Sequence, residues 1–141
     1  MNAFTEHRPY TVNDPLIRKL FTEKALFYDI ETTGFSAKFN KSYFIGCAHH
    51  RDGQLTVTQF FSESDEDEGQ VLHAFLSLCE EFDTTISFNG RMFDLPFIRQ
   101  RCQKLCIPEK LTEMDHLDIY KQAKALKNLL KLDSLKQKSI E

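Results

Sequence analysis

Three apolar runs within residues 24–61 constrain the fold of this chain more than any other feature. They are KALFYDI (24–30), SYFIGCAHH (42–50) and LTVTQFF (55–61). Each is short and carries β-branched or aromatic residues, so each reads as a strand. Arg51-Asp52-Gly53-Gln54 joins the second to the third, and Asp-Gly between two such runs marks a tight hairpin. The first run is apolar on both faces, as a strand at the centre of a sheet must be. A sheet built on these runs starts with three antiparallel strands.

Helices and strands alternate after the hairpin. Val71, Leu72, Phe75, Leu76, Cys79 and Phe82 recur at helical spacing. TTISF (84–88) is a short buried strand, and Leu95–Leu105 is a helix with Pro96 in its first turn. DHLDIY (115–120) supplies a fifth strand. Tyr120–Leu132 reads as a helix, and SLKQKSIE as the start of another. Upstream, Asn13-Asp14-Pro15 opens a helix with Leu16, Ile17 and Leu20 on one face. The expected fold is α/β: a mixed five-stranded sheet, its first three strands antiparallel, flanked by helices. Residues 1–22 are expected to form an N-terminal extension with a helix, and residues 23–141 the domain proper.

At 141 residues the chain suffices for one domain with a real core. No apolar run reaches the roughly 20 residues needed to cross a bilayer. MNAFTEHRPY has no basic start followed by an apolar stretch, so a cytoplasmic protein without membrane attachment is expected. The four cysteines match no zinc spacing and are expected to be reduced thiols. Net charge is −3, which argues against tight nonspecific binding to a polyanion, but charge is unevenly spread. ESDEDE (63–68) is acidic, and its place before a helix gives it a structural reason through the helix dipole. Lys121–Lys138 holds six lysines against one acid and reads equally as a solvated helix face or a polyanion contact.

The central strand contains an anomaly. FYDIETTG (27–34) places Asp29 and Glu31 two apart, hence on one face, with backbones roughly 6–7 Å from each other. Adjacent carboxylates in a core repel and are costly to desolvate. A shared proton, a buried base or a divalent cation relieves them, as does an early strand end that leaves them in solvent. Oxygen-only ligands favour Mg²⁺ or Mn²⁺. FNGRMFDLPFI (88–98) adds Asn89 and Asp94 where a strand passes into a helix, although an acid there is also a common helix cap.

FYDIETTG resembles the first motif of the DEDD 3′–5′ exonucleases, which have the RNase H-like fold, and FNGRMFDLPFI is similar to their second. Asn five residues before Asp resembles the proofreading domains of family B DNA polymerases. SYFIGCAHHRDGQLTVTQFF resembles the YprB-like branch of predicted bacterial exonucleases. The resemblance spans roughly residues 24–120. It implies that Asp29, Glu31 and Asp94 are catalytic and help hold two Mg²⁺ or Mn²⁺ ions about 4 Å apart for in-line attack of water on a terminal phosphodiester. It also implies that Thr32, Thr33, Gly34 and Asn89 serve substrate binding, and that the partner is nucleic acid with a single-stranded 3′ end. The alternative is an impaired RNase H-like module that binds nucleic acid or a protein partner.

The family's third motif, Tyr or His followed by a fourth carboxylate, is not found after Asp94. Tyr10 and Asp14 have the spacing but precede the first motif. Asp118 in HLDIY resembles a segment between the second and third motifs. The expectation is a C-terminally incomplete domain with a weaker second metal and weak turnover.

Overall fold

The computed structural model describes residues 1–121. The helix expected over Tyr120–Leu132 lies outside them beyond Lys121, as does the one expected in SLKQKSIE. The described chain runs β1 (Asn2–Pro9), α1 (Pro15–Leu20), β2 (Ala25–Thr32), β3 (Ser42–Arg51), β4 (Gln54–Phe61), α2 (Glu68–Cys79), β5 (Thr84–Ser87), α3 (Asp94–Lys104), a 3₁₀ turn at Leu111–Glu113 and β6 (Asp115–Asp118).

One six-stranded sheet orders the strands β1-β4-β3-β2-β5-β6. β2, β3 and β4 pair antiparallel in succession, with Phe27 opposite Ala48 and His50 opposite Leu55. The hairpin turns at Asp52 and Gly53, both at positive φ (51° and 74°), as the Asp-Gly pair predicts. β5 and β6 continue the sheet in parallel from β2. The sequence implies five strands, and the sixth is β1, which pairs antiparallel with β4 from Asn2–Phe61 to Pro9–Gln54. β1 escapes a hydrophobicity reading because seven of its eight residues are exposed. Its partner's backbone holds it, not a buried face.

Leu26, Tyr28 and Ile30 are buried on β2 and join Val71, Leu72 and Phe75 of α2 and Phe97 and Ile98 of α3 in one apolar cluster. Each such side chain contributes roughly 1.5–3 kcal/mol on burial. The core therefore lies between one sheet face and these two helices. The alternate β2 residues Asp29 and Glu31 are exposed. α1 starts as its sequence predicts: the Asp14 carboxylate accepts from the N–H groups of Leu16 (2.8 Å) and Ile17 (3.4 Å), and Pro15 follows.

One ion pair is buried within the helical layer. The Arg101 guanidinium donates to Glu68 through Nε (2.8 Å) and Nη2 (2.6 Å), and through Nη1 to the Ala37 carbonyl (2.9 Å). Glu68 also accepts from the Ser42 N–H at 3.0 Å. Both side chains are 4% exposed, so the pair is desolvated and depends on this complete set of bonds. It ties α2, α3 and the start of β3 to the 33–41 loop. Lys104 adds a bond from Nζ to the Lys38 carbonyl.

Candidate active site

β2 and the start of α3 bring Asp29 and Asp94 together. The two carboxyl groups are close enough for each to shift the other's titration. Asp94 is the first residue of α3 and only 5% exposed. A helix N-terminus favours an ionised acid by about 0.3–1 kcal/mol. Burial wins here: desolvation first, then the Asp29 charge, pushes the Asp94 carboxyl up to about 7, with the Ile30 N–H opposing. Asp29 is raised too, first by desolvation and second by Glu31, while the Ile30 N–H and the Asp94 carboxyl hold it down. The simplest metal-free state is one proton shared by the pair. Asp94 Oδ2 is buried without a hydrogen-bond partner.

Glu31 acts on Asp29 through its charge but does not complete a tight triad. Among the described residues no group of three His, Cys, Asp or Glu side chains stands ready-made for a metal ion. The carboxyl pair with its unpartnered oxygen still fits a hard cation, because its donors are oxygen only.

Thr32, Thr33 and Gly34 form the entry of a loop ordered by its own bonds. The Thr32 hydroxyl donates to the Gly34 carbonyl at 2.9 Å. The Thr33 hydroxyl donates to Asn40 Oδ1 (3.3 Å) and accepts from the Lys41 N–H (3.0 Å). A Cβ on Gly34 would stand 2.5 Å from Asn40 Oδ1, so a larger residue would have to displace the Asn40 side chain and its bonds to Thr33 and Ser36. The hydroxyls thus shape the loop. What the loop presents outward is Phe35, 92% exposed, and Phe39, 78% exposed. Phe35 meets Phe93 edge-on at 6.3 Å, and Met92 is also exposed. Phe97 is core.

Asn89 sits at φ 59° in the left-handed region, which Asn tolerates better than most residues. Its carbonyl accepts from the Met92 and Phe93 N–H groups, closing the turn into α3. A Cβ on Gly90 would collide with the Ser87 side chain. The Asn-Gly dipeptide is the sequence signal for this turn.

Asp118, singled out in HLDIY, and His116, not singled out, also take part. Asp118, 3% exposed, accepts the N–H groups of Asn89 and Arg91. His116 bonds through both ring nitrogens, Nδ1 to Thr85 Oγ1 and Nε2 to Ser87 Oγ, each at 2.8 Å. Burial, then the Arg91 charge, lowers its pKa. An acid at the end of β6, beside the β5–α3 loop, is the signal that could have pointed to Asp118.

The family model of the RNase_H superfamily matches residues 26–141. The chain belongs to the RNase_H superfamily. Two solved structures share the fold of this superfamily member. The family B DNA polymerase from the hyperthermophilic archaeon Pyrobaculum calidifontis is 22% identical, with TM-score 0.51 over 62% of this chain and 12% of the polymerase. Exonuclease I in its apo form is 15% identical, with TM-score 0.58 over 82% of this chain and 35% of that protein. The chain thus spans well under half of either neighbour. A search of the curated proteins found no match.

Proposed function

We propose that this domain is a metal-dependent 3′–5′ exonuclease of the DEDD group, YprB-like in its central hairpin, acting on the single-stranded 3′ end of a nucleic acid. The observation that carries this is the approach of the Asp29 carboxyl to the buried Asp94 carboxyl, whose Oδ2 is left unpartnered. Such a pair is unfavourable until a cation or a shared proton relieves it. The structural neighbours, a polymerase and an exonuclease, support the reading at the level of fold.

Asp29 and Asp94, with Glu31 beside Asp29, would hold Mg²⁺ or Mn²⁺. When bound there, the ions supply Lewis-acid stabilisation of the departing oxygen and a lowered pKa for an attacking water. The protein's part is to let Asp94 give up its proton as the cation binds and to fix both groups on rigid elements. Thr32, Thr33, Gly34 and Asn89 shape the two loops that border the pair. Exposed Phe35, Phe39 and Met92 offer apolar surface on which unstacked bases rest.

Release of nucleotides from 3′-labelled single-stranded DNA in Mn²⁺, by the wild type and by Asp29→Ala, tests the assignment. Wild-type release lost in the variant supports it, and equal rates overturn it. The loose position of Glu31 favours a second reading, a domain that binds metal and nucleic acid without turnover. A rise in melting temperature with Mn²⁺ but no release of label would select it.

A further inference from the structure

We propose that Asp118 is the positioning residue of this site: by capturing the backbone of the 89–91 turn it fixes where α3 begins and so delivers Asp94 to Asp29. The Asp118 carboxylate accepts three backbone hydrogen bonds. Oδ1 accepts from the Asn89 N–H at 2.8 Å and from the Tyr120 N–H at 3.0 Å. Oδ2 accepts from the Arg91 N–H at 3.2 Å. One carboxylate thus reaches two alternate N–H groups of a turn whose first residue, Asn89, is in the left-handed conformation. Such alternate donors around a negative oxygen pair make a concave anion cradle.

The engagement also separates Asp118 from the ligand role. Both oxygens accept from backbone donors, and the side chain is 3% exposed, beneath the turn and not in the open part of the site. The rest of β6 supports the same turn. Arg91 Nη2 donates to the His116 carbonyl at 2.7 Å, and the His116 ring is bonded to Ser87, the residue Gly90 presses against. Leu95 then donates to the Gly90 carbonyl at 2.7 Å, so α3 is registered on the captured turn itself. A shift of that turn moves Asp94, since only Gly90–Phe93 separate it from Asn89.

Asp118→Asn tests this, because an amide presents an NH₂ group to one of the three backbone donors. The metal readout rests on the proposed function above, so a metal-free readout accompanies it. In metal-free protein, amide exchange at Asn89 and Arg91 accelerates at least tenfold in the variant, and the Ile30 amide resonance moves because Asp94 has moved. Mn²⁺ affinity, measured calorimetrically per folded molecule, falls about tenfold, the scale for groups that orient a ligand. A merely structural Asp118 would lower the melting temperature and leave Mn²⁺ affinity within twofold and Ile30 unmoved; that result overturns the inference. Should Asp118→Asn fail to fold, Asp118→Glu, which keeps the charge and displaces the oxygens, is read by the same criteria. Should the wild type bind no Mn²⁺, the metal reading fails, and the Ile30, Asn89 and Arg91 amides still decide the role of Asp118.

Discussion

Asp94→Asn should make the metal-free protein more stable at alkaline pH. The unfolded chain holds the Asp94 proton with a pKa of 3.8, and the folded chain with one of about 7. Between those values the folded state binds the proton better, so stability falls as pH rises from about 4 to about 7, then levels off. At 1.36 kcal/mol per pH unit, the ionised folded form at pH 8 is disfavoured by about 4 kcal/mol. Asparagine removes the charge at similar volume and can donate to Asp29. Urea unfolding in EDTA at pH 5 and pH 8 measures the effect. The wild type should lose about 1–3 kcal/mol between the two conditions, whereas Asp94→Asn should lose much less. At pH 8 the variant should unfold later, by roughly 10 °C in a thermal scan if most of the 4 kcal/mol is recovered. Mn²⁺ should stabilise the wild type at pH 8 and leave the variant nearly unchanged. If the variant is the less stable protein at pH 8 without metal, the Asp94 carboxyl is satisfied as an anion, and a proton shared with Asp29 is refuted.

Arg101→Met should destabilise the fold by about 3–5 kcal/mol, because it strands the Glu68 charge in the core. The double replacement with Glu68→Leu should recover much of that loss, read as a non-additive urea midpoint. Phe35→Ala should leave stability within about 0.5 kcal/mol, since the ring is exposed. In fluorescence anisotropy with a single-stranded oligonucleotide it should weaken binding by about 1–3 kcal/mol, the worth of one base–aromatic stack.

The parts of the fold that bury apolar side chains were legible in the sequence, and the parts held by backbone or by distant charges were not. β2, β3, β4 and β5 announce themselves through Leu26, Tyr28, Ile45, Phe60 and Ile86, all buried where the pattern places them. β1 has no such face, so NAFTEHRP gives no period to read. α2 begins at Glu68, inside the acidic run, earlier than the first apolar position, Val71, suggests. Glu68 itself looks like one more solvated acid in ESDEDE, and its partner Arg101 stands 33 residues away. The motifs single out Asp29 and Asp94, but not their approach to each other. That approach depends on where α3 starts. In the reading proposed above, that start is fixed by the Asn89 and Arg91 amide hydrogens, which leave no mark in side-chain composition.

The Arg101 anchor at Ala37 bears on how the 33–41 loop would meet a ligand. Its backbone is stapled from behind, so Phe35 and Phe39 project from a fixed mount. A base settling on them would forfeit little loop freedom, because folding has already frozen that backbone. Selectivity at this edge of the molecule should then follow the shape and stacking strength of the incoming ring.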